Sequence, residues 1–234
     1  RMLRATTAVR LSSSSMAVEG RLSGKVAVVT GGASGIGQAI ARLFVKEGAS
    51  VAIVDRDAAG ATAVADSLGA LAVPCDVASE SDVKASFAAV REQLGEVSVL
   101  VNNAGINTAS EVADMPVDLW DDMIRVNLRS VFLCSREALP AMRRQRWGRI
   151  INTASQLSHK GSPELAHYCA AKAGVLGFTK SLAYEVAKDN VLVNAIAPGP
   201  VDTPLLRGLP QDWLDAKFAE LPIGRPATPD EIAP

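Results

Sequence analysis

The sequence predicts an α/β fold in which helices cover both faces of a doubly wound parallel sheet, giving three layers. The apolar runs VAVVT, SVAIVD and VSVLVN are short and nearly continuous, as expected for strands that are buried on both faces. From Gly24 onward these runs alternate with segments of helical periodicity, which indicates parallel strands joined by helical crossovers. A chain of 234 residues can bury one good core, and we expect a single domain over residues 22–234.

Six strands are predicted, with helices between them. The expected strands are 26–30, 50–55, 71–77, 97–102, 148–154 and 191–198. The first helix should end at Gly48, and the third should be capped by Ser79 and stopped by Gly95. A long helix over about 118–145 contains Pro140, which should kink or split it.

Composition excludes several classes of function. The net charge of −1 gives no reason to expect nucleic acid or an anionic membrane as a partner, and no apolar run is long enough to span a bilayer. The cysteines Cys75, Cys134 and Cys169 are scattered and show no metal-ligand spacing. They are expected to be reduced, packed thiols of an intracellular protein, and no metal site is predicted.

The two ends of the chain have unusual composition. Residues 1–21 are expected to form a flexible extension, which has three Arg before residue 20, four consecutive Ser and no acid before Glu19. This composition is typical of an organellar transit peptide, so the protein is expected in the cytoplasm, or in a mitochondrion or plastid if the extension is such a peptide. The alternative is a disordered extension, or upstream sequence before a start at Met16. Because the chain stops at Pro234 within an apparent helix start, TPDEIAP, we expect a C-terminal truncation.

A glycine-rich loop, TGGASGIG, follows the first strand directly. Gly31, Gly35 and Gly37 would let the backbone turn tightly and approach a pyrophosphate, whose charge would meet the N-terminus of the next helix. The spacing is G-x-x-x-G-x-G, so the general dinucleotide pattern is only approximated. An ordinary turn is the alternative, but the position between the first strand and the first helix favours a phosphate site.

Asp55 ends the second predicted strand, where a carboxylate can accept hydrogen bonds from an adenosine ribose. The same negative charge would repel a 2′-phosphate, which favours NAD over NADP. Arg56 follows directly and could offset part of that repulsion. Alternatively, Asp55 only caps the following helix.

Ser155, Tyr168 and Lys172 form the candidate catalytic set. Tyr168 and Lys172 are four residues apart and share one helix face. A phenol with a pKa of about 10 is a poor acid or base at neutral pH, and a neighbouring ammonium would lower that pKa. The hydroxyl of Ser155 could then bond a carbonyl oxygen that Tyr168 protonates. An ordinary amphipathic helix carrying a Tyr and a Lys is the alternative.

Together these features resemble the short-chain dehydrogenase/reductase superfamily, whose fold is Rossmann-like, over about Leu22 to Ala233. Four further motifs are similar to motifs of the family: CDV with Asp76, NNAG at 102–105, RVNL with Asn127, and PGPVDTP at 198–204. The resemblance implies a cofactor, NAD or NADP, held by Gly31, Ser34, Gly35, Ile36, Gly37, Asp55, Asp76, Val77, Asn103, Ala104, Gly105, Tyr168, Lys172, Pro198, Gly199, Val201 and Thr203.

The resemblance also implies the catalytic roles. Ser155 would orient the substrate oxygen, and Tyr168 would give it a proton or take one away. Lys172 would lower the pKa of Tyr168 and bind the nicotinamide ribose, and Asn127 would connect Lys172 to solvent through a water. His159 and His167 are interpreted as loop or surface residues.

Family members usually continue into a seventh strand, which is missing here, so the sixth strand should keep an unpaired edge. If it is full length, this protein is expected to be a homo-oligomer, either a dimer or a tetramer.

The leading functional hypothesis is an NAD(P)-dependent oxidoreductase that transfers a hydride between the cofactor and a small-molecule secondary alcohol or ketone, with NAD preferred. A 3-oxoacyl-acyl-carrier-protein reductase using NADPH is the alternative within enzymes, and a non-catalytic dinucleotide-binding protein is the alternative of another class. The substrate would be selected by 156–164, 107–111 and 205–218. In the last segment four apolar residues favour a fairly hydrophobic ligand: Leu205, Leu206, Leu209 and Trp213. The alternative is an amphipathic cap helix packed on the core, which would show the same residues.

Overall fold

The strands of the computed structural model pair in parallel into one six-stranded sheet. They are β1 (Val26–Thr30), β2 (Ser50–Asp55), β3 (Leu71–Pro74), β4 (Val99–Asn102), β5 (Gly148–Thr153) and β6 (Val191–Ile196). The order across the sheet is β3-β2-β1-β4-β5-β6. Because the order reverses between β1 and β4, a crevice is expected at the carboxyl ends of these two strands.

The structure describes residues 20–208 and 211–234. The predicted extension over 1–19, Leu209 and the side chain of Trp213 therefore lie outside the described part. The helices are α1 (Gly35–Lys46), α2 (Ala58–Leu68), α3 (Glu80–Gln93), α4 (Val117–Ile124), α5 (Ser130–Gln145), α6 (Leu157–Lys160), α7 (Ala166–Val186), α8 (Pro204–Arg207), α9 (Gln211–Ala219) and α10 (Pro229–Ile232).

Alternate residues of each strand enter the two halves of the core. Val28 of β1 packs in a cluster with apolar residues of α3, α5 and α7. Its neighbours Ala27 and Val29 pack in a second cluster with residues of α1 and α2 on the opposite face. Side chains alternate between faces along a strand, so both faces of the sheet are covered. The predicted three-layer, doubly wound α/β fold is confirmed.

The ends of two strands differ from the prediction. Strands β3 and β6 end at Pro74 and Ile196, two or three residues earlier than expected. The residues after them leave the ladder, and Cys75, Asp76 and Val77 line the cleft described below. The sequence pattern did not show this change, because Cys75, Val77 and Ala197 continue the apolar runs of the two strands.

The long helix is not split at Pro140, which was one of the two predicted outcomes. Pro140 lies inside α5, which continues to Gln145, and it is exposed, so the carbonyl that it leaves unpaired can bond to water. The interruption occurs instead at a π-helical turn, Arg125–Arg129, which separates α4 from α5. Such turns are rare and frequently lie at functional sites.

A buried polar network ties the centre of the sheet to the helices beside it. The Asn102 amide donates to Oδ1 of Asn152 at 2.8 Å, joining β4 to β5. The Asn152 amide in turn donates to the Thr179 hydroxyl of α7 at 2.8 Å. Since buried polar groups are costly unless they are paired, this network fixes α7 relative to the carboxyl ends of the two strands.

The described residues offer neither a membrane-spanning helix nor a metal-binding group. None of the helices there is both long and apolar enough to cross a membrane. Within the same residues, His, Cys, Asp and Glu do not form a group of three or more that could hold a metal ion.

Candidate active site

A cleft of about 670 Å³ opens at the carboxyl edge of the sheet. Every site residue predicted from the sequence lines it except Gly37. The glycine loop after β1 and the Ser155, Tyr168 and Lys172 side chains therefore face one continuous space. The fold brings them together because the carboxyl ends of parallel strands meet at the same edge.

The glycines of the loop are required by close backbone contacts. Gly31 has a φ of +65°, and a Cβ there would lie 2.8 Å from the Cα of Ala104. A Cβ on Gly37 would lie 2.1 Å from the backbone oxygen of Gly31. Gly37 thus lets α1 pack directly on the loop, which explains why it lies outside the cleft lining.

The first turn of α1 presents unpaired amides to the cleft. The N-cap, Ser34, makes no side-chain capping bond, and the first intrahelical bond runs from the amide of Gln38 to the oxygen of Ser34 at 3.1 Å. The N–H groups of the preceding helical residues thus lack intrahelical acceptors, and the helix dipole favours an anion there. This cradle fits the pyrophosphate of a dinucleotide.

Hydrogen bonds hold the NNAG segment against the glycine loop. The Thr30 hydroxyl accepts from the amides of Asn103 and Ala104 at 3.0 and 3.1 Å. The Asn103 side chain donates to the oxygens of Thr30 and Gly31, both at 3.1 Å. These bonds fix the floor of the cleft where β1 and β4 diverge.

Asp55 lies at the end of the cleft beside β2, where its carboxylate binds two backbone amides. Its Oδ2 accepts from the amide of Ala33 and its Oδ1 from the amide of Asp57, each at 3.0 Å. The alternative that Asp55 caps the next helix is wrong, because the N-cap of α2 is Asp57, which accepts from Gly60. The exposed Arg56 lines the same end of the cleft.

Asn127 lies within the π-helical turn and is fully buried. Its Oδ1 accepts from the amide of Ile106 at 3.2 Å, and its amide donates to the oxygens of Ile106 and Met123 at 3.0 and 3.2 Å. A Cβ on Gly105 would lie 2.6 Å from Asn127 Oδ1 and 3.5 Å from Lys172 Nζ. The absence of a side chain at Gly105 therefore leaves space between these two polar groups.

Lys172 is buried, with 4% of its surface exposed. Its Nζ donates to the backbone oxygen of Thr153, at the end of β5, at 2.8 Å. Burial disfavours the charged form and lowers the pKa of Lys172 to about 8. Lys172 therefore loses its proton at a lower pH than an ordinary lysine does.

The expected lowering of the Tyr168 pKa is wrong for this chain. Burial, the largest effect, raises the pKa of Tyr168, and a hydrogen bond with Ser155 opposes that rise only in part. The Nζ of Lys172 lies 5.9 Å from the centre of the Tyr168 ring and is itself poorly solvated. The phenol is thus held protonated at neutral pH, which suits a proton donor.

Ser155 follows β5 and joins the catalytic set to α6. Its hydroxyl accepts from the amide of Leu157 at 3.2 Å, and its own amide donates to the Ser158 hydroxyl at 3.2 Å. Ser155 is also buried, and its hydroxyl is close enough to Tyr168 to lower the pKa of the phenol. The serine hydroxyl and the phenol are therefore adjacent, as a shared contact with one substrate oxygen requires.

The segment after β6 covers the glycine loop. Thr203 is the N-cap of α8, and its hydroxyl accepts from the amide of Leu206 and donates to the oxygen of Val201. A Cβ on Gly35 would lie 3.0 Å from the Thr203 methyl group. Thr203 thus lies next to the first turn of α1, where the unpaired amides could bind a phosphate.

Comparison with known proteins decides the family. A family model described as short chain dehydrogenase matches residues 25–213. The chain belongs to the short-chain dehydrogenase family. The predicted family, its Rossmann-like fold and its oxidoreductase activity with a nicotinamide cofactor are confirmed.

Several relatives of this short-chain dehydrogenase cover most of its length. A 3-oxoacyl-acyl-carrier-protein reductase of Pseudomonas aeruginosa is 41% identical over 217 residues, which are 91% of this chain and 88% of the relative. A 2-dehydro-3-deoxy-L-rhamnonate dehydrogenase (NAD(+)) of Sphingomonas sp. is 38% identical, covering 92% and 87%. The crystal structure of a 3-ketoacyl-(acyl-carrier-protein) reductase of Brucella melitensis complexed with NADH is similar with a TM-score of 0.85 and 38% identity, covering 91% and 88%.

Sequence reasoning misplaced one histidine of this dehydrogenase. His167 is fully buried, contrary to the prediction, and its Nε2 is 3.1 Å from the Thr108 hydroxyl. It lies at the start of α7, one turn before Ala171, and this part of the helix is covered by the loop after β4. His159 is exposed, as expected. Burial of a lone His beside Tyr168 leaves no signal in the sequence.

The predicted substrate segments are only partly at the cleft. Gln156, Leu157 and residues 160–163 line it, as do Asn107, Leu205 and Leu206, whereas residues 108–111 do not. Ile106 and Leu165 also line it and were not predicted. Both are apolar residues beside motifs, and the sequence could not separate them from core residues.

Lys172→Met should stabilise this dehydrogenase at pH 7. A folded-state pKa lowered from 10.5 to about 8 means that the ammonium costs stability below pH 8, and that this cost disappears as the pH rises toward 10.5. We expect the free energy of unfolding to rise by about 1–3 kcal/mol at pH 7. The gain should shrink by pH 10, as measured by urea unfolding at both pH values.

Lys180→Met, at an exposed position on α7, is the control and should change the free energy of unfolding little at either pH. A Lys172→Met protein less stable than the wild type at pH 7 would contradict the account.

Proposed function

We propose that this short-chain dehydrogenase interconverts a secondary alcohol and a ketone, with NAD preferred over NADP. The observation that carries the proposal is that the Ser155–Tyr168 pair and buried Lys172 face the same cleft as the glycine loop. A proton donor, an oxygen-orienting hydroxyl and a dinucleotide cradle within one space support hydride transfer to a carbonyl.

The proposed chemistry assigns one task to each catalytic side chain. The Ser155 hydroxyl orients the substrate oxygen, and the protonated Tyr168 phenol donates to that oxygen during ketone reduction. In alcohol oxidation Tyr168 takes the proton back, as the same group must in the reverse direction. The bound nicotinamide supplies or accepts the hydride, and the protein supplies position and electrostatics.

Lys172 and Asn127 are proposed to serve proton movement and cofactor orientation. The Lys172 ammonium would bind the hydroxyls of the nicotinamide ribose, and its pKa of about 8 suits exchange of a proton near neutral pH. Asn127, across the open space at Gly105, would hold a water that leads to solvent. The other residues that the sequence predicts to bind the cofactor, and that line the cleft, are proposed to contact it.

The preference for NAD rests on Asp55. Its carboxylate lines the end of the cleft and keeps acceptor capacity beyond the two backbone amides that it binds. The Brucella melitensis relative was crystallised with NADH, and the Sphingomonas relative is named as an NAD(+) enzyme. These findings support NAD, and Arg56 is the feature that would favour NADP.

A second candidate is reduction of 3-oxoacyl-acyl-carrier-protein with NADPH. It is supported by the names of relatives that are about 40% identical. The same Ser155, Tyr168 and Lys172 would act, because the reacting group is again a ketone. Reduction of simple ketones and of 3-oxobutanoyl-N-acetylcysteamine, each with NADH and NADPH, separates the two: a strong preference for the thioester with NADPH would favour the second candidate.

Assembly and location stay predictions. Exposed apolar residues on α4 and α5, namely Trp120 and Phe132, are compatible with the expected homo-oligomer.

Tyr168→Phe should abolish turnover while leaving NADH binding nearly intact. The variant removes one hydroxyl, the proposed proton donor, and a lost general acid typically costs about 10²–10⁴ in rate. Steady-state kinetics give kcat/KM, and fluorescence titration gives the Kd for NADH, expected within about twofold of the wild type.

The matched control is Tyr184→Phe, which makes the same change at an 89% exposed position of α7. Its activity should equal that of the wild type. Turnover by Tyr168→Phe comparable to that of Tyr184→Phe would remove the proposed acid–base role.

Asp55→Asn should weaken the preference for NADH. Loss of a charge-assisted bond to the ribose typically lowers kcat/KM about 10–100-fold, and loss of the negative charge relieves repulsion of a 2′-phosphate. The ratio of kcat/KM for NADH over NADPH should therefore fall at least about tenfold. Asp66→Asn, an equal charge change at an exposed site on α2, is the control. An unchanged ratio in Asp55→Asn would show that Asp55 does not select the cofactor.

A further inference from the structure

The cleft divides into two halves with different charge. Asp55, Arg56 and Asp76 lie at the ends of β2 and β3, in the nucleotide half. The other half, here called the reaction half, follows β4, β5 and β6 and contains Ser155, Tyr168 and Lys172. Three strand spacings separate β2 from β5, about 14 Å. The charges of the nucleotide half are therefore too distant to pair directly with groups in the reaction half.

Lys160 is the exposed charged side chain of the reaction half among the described residues that line the cleft. The other lysine there, Lys172, is buried and donates to Thr153. Nothing in the sequence analysis had separated Lys160 from the rest of the 156–164 segment.

Lys160 makes no ion pair or hydrogen bond of its side chain within the described residues. The acids nearest to it in sequence or across the cleft do not neutralise it. Glu164 and Glu111 do not line the cleft. Asp202 is bonded to Arg207 through both oxygens, at 2.7 and 2.9 Å. An uncompensated cation therefore faces the space where the substrate would lie.

The position of Lys160 is fixed relative to the reacting groups. Helix α6 begins at Leu157, whose amide donates to the Ser155 hydroxyl, and Ser158 accepts from the Ser155 amide. The helix ends at Gly161, which has a φ of +73° and whose amide bonds Leu157. Lys160 is the last residue of this single helical turn, five residues after Ser155. The flexible side chain can thus reach a group a few bonds from a carbonyl that Ser155 holds.

The surrounding walls are uncharged and partly apolar. Ile106, Leu165, Leu205 and Leu206 line the cleft, together with the neutral polar side chains of Asn107 and Gln156. A short aliphatic chain would contact the former residues. A single ammonium among neutral neighbours matches one negative charge better than a dianion.

We propose that Lys160 binds a carboxylate of the substrate, so that the enzyme reduces a small aliphatic oxo acid to the hydroxy acid and catalyses the reverse. This inference rests on the proposed function. In the reduction the carbonyl carbon gains the hydride of the reduced nicotinamide, the oxygen gains the proton of Tyr168, and the carboxylate is unchanged. Lys160 contributes binding and selection of substrate and takes no part in the chemical step.

The test compares acids with their esters. 2-Oxopentanoate, 3-oxobutanoate and 4-oxopentanoate, which place the carboxylate at increasing distances from the ketone, are each assayed against the methyl ester with NADH. We expect kcat/KM for at least one acid to exceed that of its ester about tenfold or more. Esters that are equal to or better than all three acids would overturn the proposal.

Variants of Lys160 then assign the effect. Lys160→Met should remove most of the advantage of the acid, through a higher KM with kcat nearly unchanged, because a contact made equally in the ground and transition states affects binding alone. Reduction of the ester should not change, and Lys160→Arg should keep much of the preference. Lys188→Met, an equal charge change at an exposed site outside the cleft lining, is the control. An acid-to-ester ratio in Lys160→Met equal to that of the wild type would overturn the assignment.

A binding measurement keeps the two proposals separate. Thermal unfolding of the NADH-loaded protein is followed with whichever of the three acids has the highest kcat/KM and with its methyl ester. The acid should raise the Tm more than the ester in the wild type, and this difference should disappear in Lys160→Met. Equal shifts in both proteins count against Lys160, whereas full turnover by Tyr168→Phe counts against the proposed function.

Discussion

Burial of the Lys172 ammonium against the Thr153 carbonyl is the interaction on which the site depends. It places a cation at the carboxyl end of β5, next to the helix face that carries Tyr168. The cost of this burial appears in the lowered pKa of the lysine, and the same dry environment raises the pKa of the phenol. Residues that are poorly placed for stability are often those that a reaction needs.

The parallel sheet converts that local arrangement into an enzyme site. Reversal of strand order at β1 and β4 opens the crevice, and the bonds of Thr30 to Asn103 and Ala104 hold its floor against the glycine loop. The Asn102–Asn152–Thr179 network sets the height of α7 above the same edge. The nucleotide cradle and the phenol are thus positioned by one rigid unit.

Motif spacing predicted the fold and most of the residues that line the cleft, because both follow from local patterns. Strand runs, the glycine loop and the spacing of Tyr168 and Lys172 are visible in a short window of sequence. The π-helical turn at Asn127 and the burial of His167 were missed, since each depends on packing against distant segments. The direction of the Tyr168 pKa was wrong because spacing shows a neighbouring charge but not how much solvent is lost. The sequence did not distinguish Lys160 for a similar reason, because the lack of an acidic partner near its side chain is visible only in the fold.

The most direct test of the account is titration of the Tyr168 phenol in protein without nucleotide. The chain has two tyrosines, and the other, Tyr184, is 89% exposed, so the ultraviolet absorbance of Tyr184→Phe reports ionisation of Tyr168 alone. Because burial outweighs the opposing effect of the Ser155 hydroxyl, the account predicts that this phenol ionises above pH 10. Ionisation near pH 7 would contradict it and would show that the surroundings of Tyr168 stabilise the phenolate more than burial disfavours it.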